Sequence, residues 1–138
     1  MLLRLIRDYL IKNDFDKISQ IIDQLCKSFS TVNTSSNVRN GGLIGLAAAA
    51  IALGDKVSTY LNIIVQPILN CFSDNDSRIR YFACESMYNI AKVSRSEMLV
   101  YFRQIFDALN RVLSFIYLFI ILFSYSFFLA VSRFGSFR

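Results

Sequence analysis

Between residues 18 and 29 the apolar positions are Ile18, Ile21, Ile22, Leu25, Cys26 and Phe29, stepping by 3, 1, 3, 1, 3. That is the spacing of one buried face of a helix. The same steps return in Leu61, Ile64, Val65, Ile68, Leu69 and Phe72, offset by 43 residues throughout. A further 41 residues on stand Phe102, Ile105, Phe106, Leu109, Asn110 and Leu113, where only Asn110 breaks the pattern. One helix template is thus written three times.

A second kind of helix lies between the copies. Val38-Arg39 opens one and Ile79-Arg80 opens the next, again 41 residues apart, so that Gly42 matches Ala83, Leu46 matches Met87 and Ala49 matches Ile90. The polar turn Ser73-Asp74-Asn75-Asp76-Ser77 precedes the second of these, and Asp76 or Ser77 can accept the orphan N–H groups of its first turn. Thr31 to Asn37, rich in Ser, Thr and Asn, reads as a surface loop. Paired helices at a period near forty are the mark of an all-α solenoid of the HEAT/armadillo type, in which each antiparallel pair completes its core against its neighbours. The spacing predicts helices near 14–32, 40–53, 58–72, 77–93 and 96–112. By the same register, residues 1–10 are the end of an earlier second helix. Pro67 falls inside a first helix, where it removes one backbone bond.

Composition agrees. Of 138 residues, 54% are apolar and one, Pro67, is proline, too little punctuation for a sandwich or barrel. The net charge of +5 shrinks to +2 over residues 1–110, where twelve Lys/Arg face ten Asp/Glu, and no basic stripe with interleaved aromatics argues for nucleic acid. The absence of His removes the commonest general base and metal ligand. Cys26, Cys71 and Cys84 are odd in number, without metal spacing, and sit among apolar helix positions, which fits a reducing cytosolic compartment. Arg4, Arg7 and Asp8 interrupt any signal-peptide core at the start.

Candidate sites yield to structural readings. Gly41-Gly42-Leu43-Ile44-Gly45 lacks both the dinucleotide spacing and a P-loop Lys, and with Ala47 to Ala50 it reads as a small-residue face for close helix approach. Arg78, Arg80 and Arg95 with Asp74 and Asp76 could hold an anion, but the acids read better as caps and Arg80 as a rung of an inter-repeat ladder. Phe82 falls on the core stripe, whereas Tyr81 and Tyr88 lie off it, within reach of a partner. With no carboxylate pair, no nucleophile beside a base and no ligand cluster, the reading is no enzyme: no catalytic, cofactor-binding or metal residue, and no cofactor.

The chain divides into helical repeats over 1–112 and an apolar tail over 113–138. From Val112 to Ser132 no residue is charged, and Arg111 and Arg133 bracket the stretch as charges bracket a membrane helix. The register instead calls for another polar turn and second helix near 114–121. Two readings stand: a transmembrane helix, with membrane association through 113–131, or a mistranslated segment (intron or out-of-frame translation), since Phe, Leu, Ile, Tyr and Ser are what T-rich codons supply. Either way the solenoid is truncated.

Two strings carry a more specific resemblance. They are Gly41-Gly42-Leu43-Ile44-Gly45-Leu46-Ala47-Ala48 with Ile51-Ala52-Leu53-Gly54, and Cys71-Phe72-Ser73-Asp74-Asn75-Asp76-Ser77-Arg78-Ile79-Arg80-Tyr81-Phe82-Ala83-Cys84-Glu85-Ser86-Met87-Tyr88-Asn89-Ile90. From about Leu2 to Val112 the chain resembles the N-terminal repeats of the vacuole-morphology HEAT scaffold family. The resemblance implies a non-catalytic organiser of the phosphatidylinositol-3-phosphate 5-kinase complex. Its partner would be a FYVE-type lipid kinase, and its place the cytoplasmic face of endosomal and vacuolar membranes, where phosphatidylinositol 3,5-bisphosphate is made. A Sac-type phosphatase would bind a C-terminal part of the family that this chain does not contain. A generic HEAT adaptor or a small membrane-anchored helical protein are the alternatives.

Overall fold

The computed structural model describes residues 1–31, 34–112 and 125. Six α-helices follow one another: α1 (Leu2–Ile11), α2 (Phe15–Ser30), α3 (Ser36–Leu53), α4 (Leu61–Cys71), α5 (Ser77–Ser94) and α6 (Phe102–Val112). Tight 3-10 turns, Gly54–Tyr60 and Arg95–Tyr101, lead into α4 and α6. Among the described residues there is no strand. The fold is an all-α solenoid fragment of antiparallel helix pairs. The tail over 113–138 lies, except for Tyr125, outside the described residues.

The template stripes become the core. Ile18, Ile22, Cys26 and Phe29 of α2 and Leu61, Ile64, Val65, Ile68, Leu69 and Phe72 at α4 are buried, facing α3 and α5 across one continuous cluster. Each fully buried aliphatic side chain contributes roughly 1.5–3 kcal/mol of transfer free energy. The second helices α1, α3 and α5 pack side by side, α2 and α4 form the other layer, and Ile105, Ala108 and Leu109 of α6 join the same core. In α1, Leu5 is exposed where its register equivalents Leu46 and Met87 are buried; among the described residues no first helix covers that face.

The register is visible in the backbone too. Asn13, Gly54 and Arg95, at 41-residue steps, are the three described residues with positive φ, and each ends a second helix. The N–H groups of Gly54 and Arg95 bond back to the carbonyls of Ala50 and Ala91. Three boundaries differ from expectation. Residues 58–60 and 96–101 wind as 3-10 rather than α, tightened so that Val57 and Met98, again 41 apart, reach the core. The α3 helix begins at Ser36 rather than near 40, its first turn secured by contacts to the next repeat described below. Asp14 and Asp76 cap α2 and α5, accepting N–H bonds from Lys17 at 3.1 Å and Arg78 at 2.9 Å. Pro67 lies inside α4, and the carbonyl it frees belongs to Ile63 on the exposed side.

Candidate protein interface

Three sides of α3 are occupied by the solenoid itself. Behind it, Gly42 meets α2 so closely that a Cβ there would overlap Ser28 Oγ and stand 3.1 Å from the Leu25 carbonyl oxygen. At the α1 flank, a Cβ on Gly45 would meet Leu25 at 2.8 Å and Leu2 at 3.6 Å. On the other flank Ser86 of α5 donates its hydroxyl to the Leu43 carbonyl at 2.8 Å. The glycines at 42 and 45 are therefore the close-approach face that the sequence indicates. Gly41 is not: nothing lies within 4 Å of where its Cβ would be.

The fourth side of α3 faces out. Its residues are Asn37, Gly41, Ile44, Ala48 and Ile51, spaced by 4, 3, 4 and 3, with Ile44 49% and Ile51 45% exposed. None is charged. Asn40, on the α5 side of this stripe, is buried with its Oδ1 lacking a hydrogen-bond partner.

At the start of the second helices a polar hub joins two repeats. The Arg39 guanidinium donates to the Asp74 carboxylate through one amino group and to the Phe29 carbonyl through Nε at 3.0 Å. Asp74 also accepts the Asp76 N–H at 3.0 Å, while its carbonyl accepts from Arg80 at 2.7 Å. Burial works to raise the Asp74 pKa, but the hydrogen bonds from Arg39 and the Asp76 N–H outweigh it, and the carboxyl is held below its ordinary range. Asp76 is lowered by the Ser36 hydroxyl and then by the Arg78 N–H, tying the first turn of α3 to the cap of α5. The sequence puts Arg80 on the inter-repeat rung and both acids at caps. Asp76 does cap α5, while Arg39 and Asp74 form a rung between the two repeats. Arg80 bonds to the Asp74 and Asn75 carbonyls at the start of its own helix, and the turn that it would meet one register further on lies outside the described residues.

The remaining candidates are not brought together as a site. Arg95 lies at the far end of α5 from Arg78 and Arg80, about 25 Å along the axis at 1.5 Å per residue. Phe82 is half-buried rather than core, its ring edge-on to Tyr81 at 5.3 Å, and Tyr88 packs partly against the core. Burial pushes the Cys26 and Cys84 thiols up to about 11 and about 12. Cys71 is raised by burial against the opposing charge of Arg39. An open groove of about 490 Å³ runs between the start of α2 and the start of α4, lined by Phe15, Ser19, Lys56, Thr59, Tyr60 and Ile63 among others. Its Ser19 and Thr59 hydroxyls are bonded to the Phe15 and Lys56 carbonyls, so neither is poised as a nucleophile.

Comparison with known proteins supplies what the geometry leaves open. Residues 37–116 match the Vacuolar 14 Fab1-binding region. The chain is 46% identical over 110 residues to the vacuole morphology and inheritance protein 14 of Saccharomyces cerevisiae, covering 79% of this chain and 12% of that protein. It is 47% identical over 108 residues to the protein VAC14 homolog of Arabidopsis thaliana, covering 78% of this chain and 14% of that one. With the VAC14 homolog of Schizosaccharomyces pombe the identity is 48% over 110 residues, covering 79% and 14%. The chain thus spans only about one-seventh or less of the length of these relatives. No solved structure matches. The matched region begins in the first turn of α3 and runs through α5 and α6, and on that evidence the chain belongs to the Vac14 family, residues 37–116 matching its Fab1-binding region.

Proposed function

We propose that this chain is a non-catalytic scaffold segment whose helix repeats bind Fab1, a FYVE-type lipid kinase. Through that contact it supports phosphatidylinositol 3,5-bisphosphate synthesis on endosomal and vacuolar membranes. The observation that carries the proposal is the coincidence of the family's Fab1-binding region with the helices α3 to α6. The architecture suits the role, since stacked repeats offer a long rigid surface with no need of a reactive centre. Membrane attachment comes through the kinase complex, with 113–131 as a second route. Contact with a Sac-type phosphatase belongs to parts of the family beyond the span matched here.

The test is a binding titration between the full 138-residue chain and purified Fab1 kinase, with a generic helical-repeat protein as control. Saturable binding by this chain and none by the control is the expected result. A folded chain that ignores the kinase would assign it to the generic-adaptor class.

A further inference from the structure

The outward stripe of α3 has an internal control. At register +41, α5 places Arg78 where α3 has Asn37, Glu85 where it has Ile44 and Lys92 where it has Ile51, all three exposed. The helix α5 packs as well as α3 does, with Ile79, Ala83, Met87 and Ile90 fully buried. The solenoid therefore does not require apolar residues at these positions. It accepts the charges that a solvated helix face normally carries.

Further repeats of the same stack do not account for Ile44 and Ile51 either. Both flanks of α3 are taken by α1 and α5 and its back by α2, so added repeats would lie beyond those neighbours. Val38 is exposed where its equivalent Ile79 is buried, but it sits on the α1 flank, beyond the reach of the ten-residue α1. Gly41 points the same way as the isoleucines. It occupies a helix interior, where glycine is a poor former. Its φ is not positive, and no internal neighbour needs the missing side chain. What remains is an approach from outside.

We infer that the face built by Gly41, Ile44, Ala48 and Ile51 is where Fab1 docks, through an uncharged apolar segment whose backbone passes close over Gly41. This rests on the reading of the chain as a Fab1 binder. The occupant follows from two observations: the Fab1-binding region opens on this helix, and an uncharged face disfavours a charged segment, which would lose its hydration there without a counter-charge.

The double variant Ile44→Glu, Ile51→Lys gives α3 the residues that α5 carries at those two positions. It and the single variant Gly41→Gln are made in the full chain and titrated against purified Fab1 kinase. Circular dichroism monitors the fold and sedimentation velocity the self-association. Gly41→Gln adds bulk only outward and improves helix propensity, so it should melt no lower than the parent and serves if the double variant fails to fold. Both variants should weaken kinase binding at least about tenfold, as loss of an interface centre does. Parent-like affinity in a folded variant would overturn the inference while leaving the proposed function standing. A parent chain that does not bind would remove both. A parent that self-associates, with variants that are monomeric yet bind the kinase normally, would assign the face to a second copy and overturn the inference.

Discussion

Gly42 and Gly41 are adjacent in one helix, and the structure predicts opposite consequences for filling them. A methyl group at 42 meets three atoms of α2: Ser28 Oγ, which it would overlap, the Leu25 carbonyl oxygen at 3.1 Å and Phe29 Cδ1 at 3.2 Å. Ser28 can turn away only by giving up its 2.6 Å bond to that same Leu25 carbonyl, at about 1 kcal/mol. The carbonyl is backbone and moves only with α2, so overpacking adds about 1–3 kcal/mol. Against these stands a gain of about 1 kcal/mol in helix propensity. Gly42→Ala should therefore destabilise by about 1–3 kcal/mol, whereas Gly41→Ala should keep its propensity gain and stabilise by up to about 1 kcal/mol. At about 4–8 °C per kcal/mol for a domain near 100 residues, the two melting temperatures should move apart by more than about 4 °C, read by ellipticity at 222 nm. Ser28→Ala in the Gly42→Ala background should recover part of the loss, a non-additivity expected of touching groups. If Gly42→Ala melts at or above the parent, the close approach of α2 and α3 described above is wrong.

Ile68→Asp, placing a charge where exposure is 0%, should cost several kcal/mol and leave the chain unfolded by circular dichroism, while Phe82→Asp, at a half-buried position, should cost only about 1–2 kcal/mol. Because the folded-state pKa of Asp74 is depressed, its stabilisation is present above the unfolded value of about 4 and is lost as pH falls through the folded value. Denaturant midpoints should therefore drop below pH 4 more steeply in the parent than in Asp74→Asn. Cys26 and Cys84, raised to about 11 and about 12 by burial, should resist a thiol reagent at pH 7.5 until the chain is unfolded, and Cys26→Ala should cost only about 1 kcal/mol.

The architecture was legible in the sequence because a buried helix face leaves a periodic trace, and a repeat writes that trace more than once. The stripes of 18–29 and 61–72 located α2 and α4, and the Val38/Ile79 pair located α3 and α5. What leaves no such trace was missed. The 3-10 turns before α4 and α6 depend on burying Val57 and Met98, and positive φ at Arg95 falls on a residue that does not advertise it as Gly54 does. In the polar hub, register makes Arg39 and Arg80 equivalent, but only packing shows that Arg39 reaches the Asp74 carboxylate and Arg80 its carbonyl. The interface was the least legible part. Gly41 and Gly42 look alike in sequence, and Ile44 and Ile51 look like core until α1, α2 and α5 are seen to surround every other side of α3.

The Asp74 hub also determines how such a stack comes apart. In a linear array, neighbouring units can open separately, each with its own local free energy. Here one carboxylate is held by Arg39 from the earlier unit, while its carbonyl and the adjoining turn hold Arg80 of the next. Neither unit can fray at that edge without breaking the other's contacts. Backbone amides in the second turns of α3 and α5 should thus exchange with solvent deuterium in one shared opening, with matching protection. Asp74→Ala should split that opening in two, with the α3 amides exchanging first.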